Sequence, residues 1–397
     1  MQPATQPAAT PAAGPGASVA IRVQRLRLRD FRNYRRLDLT VDARIVVLAG
    51  ANGAGKTNLL EALSFLAPGR GLRQARLGDV ARIDGSGGWS VQAQVVTNAG
   101  TVEIATGIDP LGQPGEATRR SVHIDGRAVA GPAALGDWVR AIWLSPRMDR
   151  LFADGAAARR RFLDRLVLGF EPGHARHLAA YERAMRQRLA LLRDGGDAAW
   201  IGALEETMAE HAVAIAAARR DTVARLRGAL SCATGPFPRA GIAVAGTLEE
   251  ALEHDAAVDV EAAFVRALHA GRSHDREAGR TGTGPHRSDL EVRHLDKGVA
   301  ARACSTGEQK ALLIAVVLAD ARLQTAQTGW APLLLLDEVA AHLDAVRRRA
   351  LLEDIEALGA QCWLTGTDAA LFGDLRGRAR FLAVADAAII DMDTDLS

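Results

Sequence analysis

"RIVVLAGANGAGKTNLLEALSFL", residues 44–66, passes from an apolar run through a glycine-rich turn into a second apolar run. The first run, Ile45 to Ala49, is too short for a helix and too apolar for a surface strand, so it predicts a strand buried on both faces. The turn fits G-x-x-x-x-G-K-[ST]: Gly50, Ala51, Asn52, Gly53, Ala54 and Gly55 precede Lys56 and Thr57. Glycines let the backbone N–H groups wrap phosphates at the start of the following helix. Lys56 reaches the β/γ oxygens, and Thr57 offers a hydroxyl to Mg²⁺. Only three lysines occur in the chain, at 56, 297 and 310, so a Lys in the motif position is not an accident of composition.

A strand, a phosphate loop and a helix begin an α/β nucleotide-binding domain, and the rest of the chain must supply the metal and water chemistry. "LLLLDE", residues 333–338, ends four leucines in adjacent acids. A buried strand and turn would explain that pattern alone. Beside a phosphate loop, Asp337 becomes a partner for Mg²⁺ and Glu338 the group that polarises an attacking water. No N-K-x-D sequence occurs, so ATP is expected rather than GTP.

"STGEQKALLIAVVLAD", residues 305–320, sets a polar turn before a long apolar run. Ser305 with Glu308 three residues on is a helix-capping pattern. The same hydroxyl and N–H groups can meet an anion. In ATPases that pair head to tail, a Ser so placed on one protomer meets the γ-phosphate held by the other. Ser305 lies 28 residues before Leu333 and 249 after Lys56, and the second separation exceeds what a transporter ATPase needs. The excess predicts a helical insertion.

Composition agrees with two structural units, because 397 residues exceed the usual size of one core. A net charge of +2 excludes a histone-like binder but leaves nucleic acid open, since distribution matters more than sum. Cys232, Cys304 and Cys362 form no metal-binding spacing and suggest a reducing compartment. No run approaches ~18 apolar residues and no secretory pattern opens the chain, so a cytoplasmic protein without a membrane partner is expected. Residues 1–19 are Pro/Ala/Gly-rich and read as a disordered tail.

Strand-like alternation dominates from 20 to about 130, in "VQRLRLRDF", "RLDLTVD" and "WSVQAQVV". Helical spacing follows, with Leu178, Tyr181, Met185, Leu189 and Leu192 forming a core stripe. The expected architecture is α/β: a P-loop ABC-type ATPase head, lobe I, made from 20–140 and 272–397, with a mainly helical lobe II inserted at 141–271.

The chain resembles the RecF proteins, relatives of the SMC and Rad50 ATPase heads. The resemblance rests on "LRLRDFRNYRRLDL", "WLSPRMDRLFADGAAARRRFLDRL", "GTGPHRSDL", "STGEQKALLIAVVLA" and "LLLLDEVAAHLD", in this order, and covers nearly all of the chain after the tail. It implies ATP and Mg²⁺ as cofactors and a slow, DNA-stimulated ATPase. It also implies a homodimer formed head to tail on single-stranded, gapped or junction DNA, acting with RecO and RecR proteins to load recombinase. Residue by residue, Lys56 and Glu338 would be catalytic, and Thr57 and Asp337 would hold metal. Ser305, Thr306, Gly307, Glu308 and Gln309 would form a signature turn acting in trans. Asp344 matches a D-loop aspartate, Thr365 or Thr367 a γ-phosphate switch, and Gln74 is the candidate Q-loop residue. Arg159–Arg161 and Arg347–Arg349 are the charge runs available for DNA, with His286 and Arg287 a further possibility. An aromatic content of 4% favours contact through phosphates. A transporter ATPase subunit is the alternative, and a tether of the SMC type would need heptad arms that are missing.

Overall fold

Alternating residues build β1 (Arg22–Phe31) and β2 (Tyr34–Thr40) as an antiparallel hairpin that buries Leu26, Leu28, Leu37 and Leu39 on one face. The computed structural model describes residues 21–97, 100–110, 119–232, 234–340 and 343–392; the tail expected at 1–19 lies outside them. After the hairpin, β3 (Ile45–Ala49) leads through the phosphate loop into α1 (Lys56–Ser64). β4 (Trp89–Thr97), β5 (Gly100–Ile108), β6 (Ser121–Ile124) and β7 (Arg127–Ala128) complete an antiparallel sheet ordered β2-β1-β4-β5-β6-β7.

β8 (Ala141–Leu144) precedes three helices, α2 (Ala156–Leu168), α3 (His174–Asp194) and α4 (Ala198–Ser231). β9 (Ala240–Ala245), α5 (Thr247–Ala251), α6 (Ala257–Ala270) and α7 (Arg272–Ala278) follow. β10 (Asp289–His294) pairs with β9 and with β11 (Val299–Ala300) in a three-stranded sheet. The chain ends in α8 (Thr306–Thr328), β12 (Leu333–Leu336), α9 (Ala345–Leu358), β13 (Cys362–Gly366), β14 (Arg380–Ala385) and β15 (Ala388–Asp391).

The central sheet runs β15-β14-β3-β13-β12-β8, parallel except for β15. Its parallel strands are mostly apolar at successive positions because both faces are covered, whereas the edge strand β15 exposes Ala388 and Ile390. Val46, Leu48, Leu333, Leu335 and Trp363 face a core shared with α1 and the antiparallel sheet. Ile45, Val47, Leu334, Leu336 and Leu364 face a second core shared with α2, α4, α8 and α9. Between the sheet and α4, the middle of α8 is enclosed, and Gln309 to Ala321 are buried without interruption.

One strand falls on the other side of the expected boundary. Ala141–Leu144, placed in the helical insertion by the sequence, pairs in parallel with β12, Leu333 opposite Ala141 and Leu336 opposite Leu144. Four apolar residues carry no period that distinguishes strand from helix, so only the pairing decides.

α4 links two cores: Ala218, Val223, Leu226 and Leu230 join the sheet-side core, while Leu204, Met208, Ala212 and Ile215 pack with α3 and α6 in a third. Inside this helical part Arg188 is fully buried, bonded to Glu205 at 2.9 Å, to Asp275 at 2.7 Å and to the Leu268 carbonyl at 2.7 Å. Removing one member of such a network strands charges in a low dielectric. Arg188→Ala is therefore expected to lose about 3–5 kcal/mol in chemical denaturation. A loss below about 1 kcal/mol would show that the network does not hold α3 to α4 and α7.

Candidate functional site

Phosphate-loop geometry begins with contacts that only glycine permits. Gly50, at φ 154°, would place a Cβ 2.2 Å from the Val384 carbonyl oxygen. Gly55, at φ 117°, would drive one into the Asn33 and Tyr34 side chains at 2.7 and 2.9 Å. Lys56 is buried, its Nζ donating to the Gly50 and Ala51 carbonyls at 2.6 and 2.9 Å, so the ammonium lies in the mouth of the loop. Burial pulls its pKa down while the Glu338 and Asp337 carboxylates push it up. α1 starts with no side-chain cap and no acid in its first turn, which leaves its orphan N–H groups for an anion.

Three elements converge beside Lys56. Asp337, at the end of β12 and buried, accepts from Thr57 Oγ1 at 3.0 and 2.9 Å and from Thr365 Oγ1 at 2.7 Å. The Thr365 hydroxyl in turn accepts from the Glu338 N–H at 2.9 Å. That bond anchors Glu338 in the left-handed region, φ 52°, which is costly for a residue with a Cβ and turns its half-buried side chain out of the strand's alternation. Hydroxyls and a carboxylate make an all-oxygen donor set that fits Mg²⁺ completed by phosphate and water. Of the two threonines the sequence left open, Thr365 meets Asp337, whereas Thr367 is exposed beyond β13.

Sequence reasoning gave no site role to the turn of the β1–β2 hairpin, although "DFRNY" marked the region. Asn33 Nδ2 donates to the Ala54 carbonyl at 3.3 Å and Tyr34 Oη to the Gly55 carbonyl at 3.2 Å. Arg32 and Arg73 grip the buried Glu61 of α1 at 2.7 Å each, which pins hairpin and loop together. A signal was present: two polar residues, Arg32 and Asn33, between two alternating strands, with Glu61 the one acid of α1.

The RecF/RecN/SMC N terminal domain family matches residues 22–376. A Mesorhizobium japonicum protein described as DNA replication and repair protein RecF is 52% identical over 91% of this chain and 96% of its own length. The chain belongs to the RecF family. A Brucella suis RecF is 48% identical over 92% of this chain and 95% of its own. A solved recombination mediator protein RecF in its ATPrS complex overlays with TM-score 0.81 at 20% identity, covering 94% of this chain and 98% of that one. This RecF-family chain has the fold of an ABC-type ATPase head, as expected from its α/β pattern.

The expected signature turn stands apart from the phosphate loop within the chain. Ser305, Thr306 and Gly307 are exposed, and among the described residues they make no hydrogen bond or ion pair to residues 50–57. Ser305 caps α8: its hydroxyl accepts from the Glu308 N–H at 3.4 Å, and Glu308 Oε2 accepts from the Ser305 N–H at 3.0 Å. Hydrogen bonds from Lys297 and from Ser305 pull the Glu308 carboxyl down to about 2. Buried Gln309 donates to the Cys304 carbonyl at 2.9 Å. Asp344 is the N-cap of α9, accepting from the Arg347 N–H at 2.8 Å. Gln74 lines a groove with Trp143 and Arg165, and among the described residues its side chain makes no hydrogen bond to residues 50–57.

The arginine runs are engaged only in part: Arg161 is exposed, and the Arg349–Asp374 pair lies at the surface. Arg159 holds Asp289 through two bonds of 2.8 and 2.7 Å, Arg160 donates to the Ser288 carbonyl, and Arg347 and Arg349 pair with Asp344 and Asp374. His286 lies between the Tyr181 hydroxyl at 2.8 Å and the Thr281 carbonyl at 3.0 Å, and burial lowers its pKa. One neutral tautomer satisfies both contacts, with Nε2 donating and Nδ1 accepting.

Proposed function

We propose that this chain is an ATP-gated DNA-binding ATPase of recombinational repair, which pairs head to tail on DNA and acts with RecO and RecR proteins at single-strand gaps. The observation that carries this reading is the Asp337 carboxylate held between Thr57 of the phosphate loop and Thr365 of β13, with Glu338 fixed beside it. Support for ATP comes from relatives: solved RecF structures of the same fold are described as RecF-ATP and placed in the RecFOR pathway.

Bound ATP and Mg²⁺ supply the scissile phosphoanhydride and the positive charge that offsets its oxygens. Lys56 exchanges its two carbonyl contacts for β/γ oxygens, and the N–H groups from Gly53 to Thr57 complete the cradle. Thr57 and Asp337 are the residues that would hold the metal. Glu338 accepts a proton from the attacking water at its carboxylate, and Thr365 fixes the backbone that aims it. Ser305, presented by the partner copy, closes the site from the other side, using the α8 N-terminus it now caps.

Glu338→Gln keeps shape and removes the acceptor, so hydrolysis is expected to fall by at least about a hundredfold. ATP-dependent retention of DNA should then lengthen. Phosphate release checks the first, and filter retention of labelled DNA, with and without ATP, checks the second. The same DNA retention in either nucleotide condition would remove the gate.

A further inference from the structure

The antiparallel sheet buries one face and leaves the other polar. On that outer face Arg25, Arg27 and Arg29 follow one another at every second position of β1. The register sets Arg36 directly opposite Arg29 and Asp38 opposite Arg27. On the other side of β1 the face continues through Ser90 and Gln92. Together with Arg35 these residues line a concave surface of about 900 Å³, where five arginines meet two aspartates.

Both aspartates are already neutralised. Asp38 binds Arg25 at 2.7 Å and Arg27 at 3.4 Å, and Asp30 binds Arg82 at 3.1 Å. Arg29, Arg35 and Arg36 have no carboxylate partner among the described residues, and all three are exposed. Like charges directly across a strand pair destabilise a sheet. An uncompensated Arg29–Arg36 pair therefore calls for an anion from outside. On a strand, alternate side chains recur at about 7 Å, roughly two nucleotide rises along one strand of duplex DNA. Among the described residues no aromatic side chain lines the surface, which disfavours base stacking there.

We infer that this outer face, centred on Arg29, Arg35 and Arg36, is a docking surface for the sugar-phosphate backbone of duplex DNA. The inference rests on the DNA-binding reading given above and locates it on residues other than the arginine runs. Contact of this kind is sequence-independent and steeply salt-dependent.

The test is binding of a fluorescent random-sequence duplex, in ATP and Mg²⁺, over a salt series. It compares the wild-type chain with the triple variant Arg29→Gln, Arg35→Gln, Arg36→Gln and with the matching triple Lys variant. The Gln variant is expected to bind at least about tenfold more weakly, with the slope of log affinity against log salt smaller by about three. The Lys variant should keep most of both. Relief of the Arg29–Arg36 repulsion means that the Gln variant should melt no lower than wild type and hydrolyse ATP normally without DNA. Undiminished duplex binding by the Gln variant would overturn the inference and leave this face to an acidic protein. A loss seen with single strands alone would overturn the assignment to duplex. A wild-type chain that binds no DNA in ATP would instead sink the DNA-binding reading itself.

Discussion

Replacing Lys56 by Arg is expected to abolish ATP hydrolysis, by at least about a hundredfold in turnover, while nucleotide binding survives. Lys56 Nζ lies within 2.6 and 2.9 Å of two loop carbonyls in a buried position. That space fits a compact ammonium. A guanidinium carries the same charge but is planar and larger, so it keeps the long-range attraction for phosphates and loses the point contact with the oxygens that gain charge. Radiolabelled phosphate release measures the first effect and equilibrium binding of a fluorescent ATP analogue the second. Hydrolysis within threefold of wild type would remove Lys56 from the chemistry.

Ser305→Arg is the second large effect. The exposed turn gives up one N-cap, worth about 1 kcal/mol, against a total stability of about 5–15 kcal/mol, so the fold survives. In a head-to-tail pair the new side chain occupies the place meant for the γ-phosphate of the partner's nucleotide. Dimer formation should weaken by at least about 2 kcal/mol, some thirtyfold in dissociation constant. Hydrolysis falls with it, because Glu338 and Lys56 act on a site that the partner no longer closes. ATP binding by the single chain should persist, since Ser305 makes no hydrogen bond to residues 50–57 among the described residues.

Much of the candidate site was legible because the chemistry it suits needs particular residue types at fixed spacings. Strand, glycine turn and helix around Lys56 stand where the motif put them, and Asp337 and Glu338 end their strand as expected. Tertiary contact decided what spacing could not. Thr365 and Thr367 are equivalent in sequence, and only burial beside Asp337 separates them. β8 was lost because four apolar residues fit either period. Asn33, Tyr34 and Arg32 act through a hairpin folded over the loop, and the bonds of Asn33 and Tyr34 to it span 21 positions. A charge run is visible in one dimension, whereas Arg159 and Arg160 meet Asp289 and the Ser288 carbonyl only in three. Arg29 and Arg36, separated in sequence, become opposite neighbours once the hairpin forms.

Light scattering of the wild-type chain and of Ser305→Arg, each with and without ATP and Mg²⁺, tests the head-to-tail account most directly. Wild type should move from 42.0 kDa towards twice that mass with ATP, and Ser305→Arg should stay at 42.0 kDa while binding ATP normally. A wild-type chain that remains at 42.0 kDa with ATP bound would contradict it.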